Sequence, residues 1–262
     1  MCVYSDLASF ASVRLFAKEL LEKDIHVDIL ILNAGMQTGD ELTLSEDGVE
    51  MLYQVNHLSQ FLLTRLLLPT LSHTSDRIAR IVHVSSSMHY IGQIDRDAYN
   101  SSALNSIDST RRTSFQSYSD SKLMNAVFSN SLDRFFRQEG NEQYSGISSV
   151  SIHPGFVVSD LDRGLPSHME VILRTIRSLV ARPTIDGAVT QVTAATHPQL
   201  LAHGGGLYFE DQCIMSHCTS CLLCSIDKKR GVGVIPHGSA TSFEDQDWLW
   251  DTSSAIVGLS NF

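Results

Sequence analysis

The sequence predicts an α/β fold, in which a doubly wound parallel sheet carries helices on both faces. Three runs have the length of strands, at residues 27–32, 78–84 and 147–152, and the run at 27–32 is nearly continuously apolar. Such runs are typical of parallel strands that are buried on both faces. Segments with helical periodicity separate the runs, and strands that alternate with helices imply parallel crossover connections. The chain has 262 residues, which suits one domain of this kind over residues 1–262.

The first part of the chain is predicted to place one strand between two helices. Apolar side chains recur on one helical face over residues 8–22, which predicts an amphipathic helix. The run at 27–32 is the first strand, and it ends in a turn signal. A long helical pattern follows from 46 to 71 and is interrupted near Pro69.

The middle of the chain repeats this alternation. Residues 78–84 are predicted to form the second strand. The polar, turn-rich stretch 92–116 is interpreted as an excursion over the surface, and 118–136 as a helix with an apolar inner side. The third strand covers 147–152.

The last part of the chain completes the predicted sheet. Helices are expected at 168–181 and 185–196, followed by a short strand at 206–209. Residues 244–257 are predicted to form a closing helix.

Composition excludes several classes of protein. The formal net charge is -10, which argues against nucleic acid as a main partner because phosphate binding needs a basic face. The N-terminus lacks the pattern of a signal peptide, and the apolar stretch 61–71 contains Arg65 and Pro69. Five cysteines, an odd number, do not suggest a disulfide framework. We therefore expect a cytoplasmic protein without an integral membrane segment.

Chemically useful residues follow three of the predicted strands. Asn33, Ser86 and the pair Pro154-Gly155 stand at strand ends although they lie far apart in the sequence. In parallel sheets of this type, ligands bind outside the carboxyl ends of the strands. We expect these residues to converge on one binding site.

Tyr118 and Lys122 form the sequence Tyr-Ser-Asp-Ser-Lys on one predicted helix. A spacing of four places both side chains on the same face, one turn apart. An ammonium beside a phenol favours the phenolate, so the pKa of Tyr118 is expected to fall from about 10 toward neutrality. A tyrosine of this kind can exchange a proton with a carbonyl oxygen. By itself the spacing is a weak signal, because solvated pairs with this spacing are common on helices.

Several further motifs occur with this pair in a fixed order. They are DILILNAG (28–35), YQVNHLSQFLLT (53–64), RIVHVSSSMHYIGQI (80–94), YSDSKLMNAVFSNSL (118–132), HPGFVVSDL (153–161) and GGLYFED (205–211). Through them the chain resembles the short-chain dehydrogenase/reductase family over residues 5–212. Within the family, the likeness is greatest to retinol dehydrogenases and to the oxidoreductase domain of the WW-domain-containing oxidoreductase. The resemblance implies a Rossmann-like fold.

The resemblance also assigns the catalytic roles. Tyr118 would be the general acid/base, and Lys122 would hold the ribose hydroxyls of the nicotinamide and lower the pKa of Tyr118. Asn56 would assist a water relay to the lysine. Asn56 also has a purely structural interpretation, as a residue that caps or bridges helices.

A serine of the Ser85-Ser86-Ser87 run would hydrogen-bond the substrate oxygen. The family's motif aligns with Ser86, while Ser85 and Ser87 remain alternatives if the register is shifted by one residue.

The cofactor implied by the resemblance is NADP or NAD. Its binding residues would border the adenine, the adenosine side and the nicotinamide. They are Asp6, Asn33, Ala34, Gly35, Tyr118, Lys122, Pro154, Gly155, Val158 and Ser159. A simple turn is the alternative interpretation of Asn33 and Gly35.

The glycine-rich turn T-G-x3-G-x-G, which holds the cofactor's pyrophosphate in the family, is not found in the sequence. Thr38-Gly39-Asp40 lacks the later glycines, and Gly231-x-Gly233 lies near the C-terminus. Matched to the family, the chain is expected to begin near the third strand and to lack the first two. The strand at 27–32 would then be an exposed apolar edge. We expect marginal folding and poor cofactor binding, which tight NADPH binding by calorimetry would contradict.

Residues 213–239 interrupt the family pattern and are interpreted as an insertion. The insertion contains potential zinc ligands, which are Cys213, His217, Cys218, Cys221 and Cys224. Their spacing is too compressed for one tetrahedral structural site, so no metal is predicted.

The resulting hypothesis is an NAD(P)-dependent oxidoreductase that interconverts a lipophilic alcohol and its carbonyl compound, with a small molecule as partner. The retinoid-, steroid- or xenobiotic-like substrate class follows from the resemblance alone, as does a homodimer. The alternative is a catalytically impaired, dehydrogenase-like domain that acts as an interaction protein. A nucleotide-sugar epimerase is disfavoured, because that branch also needs the glycine turn.

Overall fold

A computed structural model shows the arrangement of most of the chain. It describes residues 4–38, 43–71, 79–100, 113–155, 157, 183–196, 206–210 and 238–260.

Four parallel strands form one sheet in the order β1-β2-β3-β4. The strands are β1 (Ile29–Leu32), β2 (Ala79–Val84), β3 (Ile147–His153) and β4 (Leu207–Glu210). Each strand pairs in parallel with the next along the chain. The predicted α/β class and all four predicted strands are confirmed.

Seven α-helices are described beside these strands. They are α1 (Phe10–Glu22), α2 (Met51–Tyr53), α3 (Ser59–Leu67), α4 (Ser114–Phe136), α5 (Thr184–Thr196), α6 (Gly238–Thr241) and α7 (Phe243–Ile256). A π-helical turn (Gln54–Leu58) joins α2 to α3, and 3₁₀ turns cover Leu68–Thr70, Ser87–Ile91 and Glu142–Tyr144.

The two faces of the sheet are covered by different layers. On β2, Ile81 belongs to the larger core cluster, which also includes α3 and α4, whereas its neighbour Val82 belongs to a smaller cluster with Ala194 of α5. Successive side chains of a strand point to opposite faces, so adjacent residues reach different layers. This is why apolar residues stand next to each other in β2, at Ile81 and Val82, instead of alternating with polar ones.

The helix predicted from residue 46 begins later, at Met51. Gly48 has a positive φ of 74°, which ends any helical path at that position. The Glu50 carboxylate then accepts hydrogen bonds from the N–H groups of Leu52 and Tyr53, at 3.0 and 2.8 Å, and so caps the new helix.

Helix α4 begins four residues before the predicted start at Tyr118. Thr113 caps it, because its hydroxyl accepts the N–H of Gln116 at 3.2 Å. The last residues of the stretch that we interpreted as a surface excursion therefore belong to the helix, and Ser114 is already buried.

Strand β1 lies at the edge of the described sheet, as expected. Its side chains Ile29 and Ile31 are 41% and 40% exposed. An apolar edge strand with free backbone groups is a pairing surface for other strands.

Some predictions fall outside the described residues. These are the helix at 168–181, the positions Val158 and Ser159, and the cysteines of the predicted insertion. Among the residues that are described, no cluster of His, Cys, Asp and Glu side chains has the arrangement of a metal site. None of the described helices combines the length and the apolar character needed to cross a bilayer.

Candidate active site

The side chain of Lys122 lies in the interior, against the end of β2. Its ammonium donates to the carbonyl oxygen of Val84 at 3.1 Å and lies 5.6 Å from the ring centroid of Tyr118. The side-by-side placement predicted from the spacing of four is thus present. Burial lowers the pKa of Lys122 to about 8. An ammonium has three donors, and within the described residues one hydrogen bond accounts for a single donor.

The loop after β1 approaches this ammonium closely at Gly35. A Cβ atom added to Gly35 would stand 3.1 Å from the Lys122 Nζ and 3.4 Å from the Asn56 Oδ1. Glycine at this position therefore lets the backbone pass beside the charged group. The structure brings together three residues that are distant in sequence.

Asn56 fixes the loop in this place. Its amide oxygen accepts the N–H of Met36 at 2.8 Å, and its amide nitrogen donates to the Met36 carbonyl at 2.9 Å and to the Ser121 hydroxyl at 3.1 Å. The side chain is completely buried. Asn56 therefore binds the loop to α4 next to Lys122, which realises the bridging role considered for it.

A second contact between the same loop and α4 was not predicted. The Ser114 hydroxyl donates to the Thr38 carbonyl at 2.8 Å, and the two hydroxyls are 3.1 Å apart. The only signal in the sequence was a serine near the start of a helix, which by itself indicates no partner. Two separate contacts thus hold the segment 33–38 against the helix that carries Tyr118.

The serines after β2 differ in the use of their hydroxyl groups. Ser85 donates its hydroxyl to the Lys122 carbonyl at 2.6 Å. Ser86 accepts the N–H of Met88 at 3.2 Å, and within the described residues its own O–H has no acceptor. The geometry therefore favours Ser86 over Ser85 as a donor to a bound molecule.

The turn that follows Ser86 is fixed against the part of α4 that carries Tyr118. A Cβ atom on Gly92 would stand 2.5 Å from the Ser119 carbonyl oxygen, so the two backbones touch. The Asp120 carboxylate accepts the N–H of Gln93 at 2.7 Å and the Tyr99 hydroxyl at 3.0 Å. The residues flanking Tyr118 and those following Ser86 therefore form one unit.

The remaining predicted cofactor positions lie on several segments. Asn33 is exposed and its amide oxygen accepts from Gln191 at 2.6 Å, while the Ala34 carbonyl accepts from Gln60 at 2.6 Å. Asp6 is exposed and accepts the N–H of Ala8 at 2.9 Å, in the turn before α1.

The residues after β3 include a glycine in a conformation that other residues avoid. Gly155 is buried and has a φ of 83°, directly after Pro154. The pair turns the chain sharply at the end of the strand, on the edge of the sheet where Asn33 and Ser86 also stand.

Comparison with known proteins identifies relatives along the full chain. A family model described as short chain dehydrogenase matches residues 1–113. Human retinol dehydrogenase 14 is 33% identical over 258 residues, which cover 97% of this chain and 66% of that protein. Human retinol dehydrogenase 13 is 36% identical and 67% covered. The chloroplastic short-chain dehydrogenase TIC 32 A of Brassica napus is 34% identical and 72% covered. The chain thus spans about two thirds of the length of these relatives.

Solved structures agree with the fold. A structure from Mycobacterium paratuberculosis, 25% identical, matches with a TM-score of 0.67 over 98% of this chain and 75% of that one. A 3-ketoacyl-(acyl-carrier-protein) reductase from Brucella melitensis, complexed with NADH, has a TM-score of 0.53 at 17% identity, over 79% of this chain and 75% of that one. At such identity, the second likeness concerns the fold alone.

Proposed function

The chain belongs to the short-chain dehydrogenase family, and we propose from that premise that it is an NAD(P)-dependent oxidoreductase interconverting a lipophilic alcohol and its carbonyl compound. The observation that carries the proposal is the buried ammonium of Lys122 beside the ring of Tyr118, at the carboxyl ends of the strands. Ligands of open parallel sheets bind at that edge.

The residues at the carboxyl ends of the strands offer a dinucleotide a hydrogen-bond donor and space beside it. Lys122 has donor capacity that the described protein groups leave unused, and Gly35 brings a backbone segment without a side chain beside it. Vicinal ribose hydroxyls are suitable acceptors for such an ammonium. Lys122 and Tyr118 would hold the nicotinamide ribose, and Asn33, Ala34 and Gly35 the adenosine side.

The other assigned positions complete the proposed cofactor site. Pro154 and Gly155, with Val158 and Ser159 beyond the described residues, would border the nicotinamide, and Asp6 the adenine. Both NADH and NADP occur in structures of the fold, in the Brucella melitensis reductase and in the RhlG complex of Pseudomonas aeruginosa. When bound, such a cofactor supplies or accepts the hydride.

The chain's own residues would handle the proton and the substrate oxygen. In the reducing direction, the Tyr118 hydroxyl donates its proton to the oxygen of the carbonyl group as that oxygen becomes an alcohol. The O–H of Ser86 donates a hydrogen bond to the same oxygen and stabilises the charge that develops there. The positive charge of Lys122 stabilises the phenolate left on Tyr118. Asn56 holds the loop after β1 against α4, beside Lys122.

The lipophilic substrate class is proposed from the names of relatives. Two of them are human retinol dehydrogenases, and a third, human polyprenol dehydrogenase, is 32% identical over 83% of this chain. The test is oxidation of NADPH or NADH by the purified chain with retinal as the carbonyl compound. Absence of retinal-dependent oxidation of both cofactors, in a protein shown to be folded, would contradict the proposal for this substrate.

The edge strand β1, with the exposed side chains Ile29 and Ile31, favours a second candidate function. In that function, the chain is an interaction protein derived from a dehydrogenase. No glycine-rich phosphate turn occurs in the described residues either. Calorimetric titration with NADPH separates the two functions. Weak but saturable binding supports the enzyme, whereas a folded chain that releases no heat of binding supports the second candidate.

Replacing Gly35 by alanine is expected to weaken cofactor binding about 10- to 100-fold, because the new Cβ atom displaces the ammonium from its position. This range corresponds to the loss of about one charge-assisted hydrogen bond, roughly 1.5–3 kcal/mol. The measurement is the KM for the cofactor. Gly238→Ala is the matched control, since no atom of the described residues lies within 4 Å of a Cβ at Gly238. Equal KM values for the two variants would show that the close approach has no role in binding.

The rate of carbonyl reduction is expected to fall as the pH rises above about 8. The pKa of Lys122 is lowered to about 8 by burial, so the ammonium loses its proton in this range instead of near its usual 10.5. A neutral amine no longer stabilises the phenolate. The measurement is the pH profile of kcat/KM, and a profile that stays level up to pH 10 would exclude a role for the charge.

A further inference from the structure

Beside the proposed site lies a buried histidine, His89, that no proposed catalytic step uses. It is the third residue of the 3₁₀ turn Ser87–Ile91, directly after Ser86, and its side chain is fully inaccessible. The Nδ1 of His89 lies 2.6 Å from the carbonyl oxygen of Ser86 and 3.1 Å from the hydroxyl of Tyr208 on β4.

The partners of Nδ1 determine where the imidazole carries its proton. A carbonyl oxygen only accepts hydrogen bonds, so a nitrogen 2.6 Å away must be the donor. The hydrogen atom is therefore on Nδ1. The oxygen of the Tyr208 hydroxyl then accepts a second, weaker hydrogen bond from the same N–H group.

The ring of His89 is also held in orientation by aromatic neighbours. Its centroid is 3.9 Å from that of Tyr90 and 4.5 Å from that of Tyr208. Tyr208 is buried on β4 and pairs with Ser151 on β3. The contact therefore ties the turn after Ser86 to the next-but-one strand of the sheet.

The carbonyl group and the hydroxyl group of Ser86 are therefore both held by hydrogen bonds. Its carbonyl oxygen accepts the backbone N–H of His89 at 3.0 Å as well as the ring N–H, and its side-chain oxygen accepts from Met88. With one lone pair of the hydroxyl oxygen engaged, the O–H bond must rotate away from Met88. Within the described residues the hydroxyl proton then has no acceptor and is available to a substrate oxygen.

We propose that His89 is a positioning residue, whose Nδ1–H bond to the Ser86 carbonyl aims the Ser86 hydroxyl at the substrate oxygen. The role rests on the proposed function. It differs from the function of a packing residue, because it depends on one donor atom and not on the volume of the ring.

Two substitutions separate the donor from the ring. His89→Phe keeps an aromatic ring between Tyr90 and Tyr208 but removes the donor. His89→Asn removes the ring but places an amide N–H at the position of Nδ1. We expect kcat to fall about 10- to 100-fold in His89→Phe, as for a misplaced catalytic group, with the KM for the cofactor unchanged. His89→Asn is expected to recover most of that loss, although its resistance to urea is lower.

Three outcomes would overturn the proposal. They are an unchanged kcat in His89→Phe, equal losses of kcat in both variants, and a cofactor KM that changes in parallel with kcat. Tyr208→Phe is the matched control for the aromatic contact, since it keeps the ring beside His89 and removes the weaker acceptor.

A nuclear magnetic resonance measurement distinguishes failure of this role from failure of the proposed function. In ¹⁵N-labelled protein, the proton of the His89 ring is expected on Nδ1. A ring with its proton on Nε2 alone would overturn the positioning role even in an active enzyme. An inactive wild-type protein with the proton on Nδ1 would instead overturn the proposed function, and with it the catalytic meaning of this contact.

Discussion

Replacing Tyr118 by phenylalanine is expected to reduce the rate of carbonyl reduction about 10²- to 10⁴-fold, the usual contribution of a general acid or base. The substitution removes one hydroxyl group and leaves the ring that faces the Lys122 ammonium. Binding of the cofactor should therefore change much less than kcat. The measurement is steady-state kinetics with retinal, together with calorimetry of cofactor binding.

Tyr144→Phe is the matched control for this experiment. Tyr144 packs against Phe135 and Phe136 at the other end of α4, so its replacement removes a phenol without approaching the site. A rate that is the same in Tyr118→Phe as in wild type would remove Tyr118 from the mechanism. A loss as large in Tyr144→Phe would show that the effect is structural.

The free energy of unfolding is expected to decrease strongly between pH 7 and pH 5. His57 and His83 are completely buried, and burial lowers the pKa of each to about 3. In the unfolded chain both titrate near 6.5. Between these values the unfolded state binds more protons than the folded state, so stability is present above pH 6.5 and is lost as the pH falls toward 3.

The size of this effect is large compared with the stability of an ordinary domain. At pH 5 each imidazole lowers the free energy of unfolding by about 2 kcal/mol, against a total of roughly 5–15 kcal/mol. Urea unfolding curves at pH 7.5 and pH 5 measure the difference. A free energy of unfolding that is equal at both values would contradict the prediction.

His83 offers a sharper version of the same experiment. Neither of its ring nitrogens has a hydrogen-bond partner within the described residues, and its ring packs edge-on against Phe128. His83→Leu is expected to reduce the pH dependence by about half, because one of the two imidazoles is gone. His26→Gln is the control, since it removes an exposed imidazole without touching the core.

The features that depend on a local pattern of residues could be predicted from the sequence. All four strands lie where they were predicted. The spacing of four predicted that Lys122 would face Tyr118, and the two are adjacent. The catalytic roles of these residues remain predictions until they are measured.

Contacts between distant segments were not predictable in the same way. The approach of Gly35 to Lys122 and the bond from His89 to Tyr208 join residues that no periodicity relates. The predicted starts of two helices were wrong. The observed starts, at Met51 and Ser114, each depend on a single capping side chain. Such a side chain is a weaker signal in the sequence than an apolar face.

The contact at Gly92 has a consequence for the interpretation of inherited variation. Every missense change at this codon adds at least one carbon atom where only 2.5 Å separates its position from the Ser119 carbonyl oxygen. The backbone after Ser86 would have to shift, so even the mildest replacement alters the neighbourhood of Tyr118. Variants at residue 92 should thus be ranked with those of the proposed active site, although glycine has no reactive group of its own.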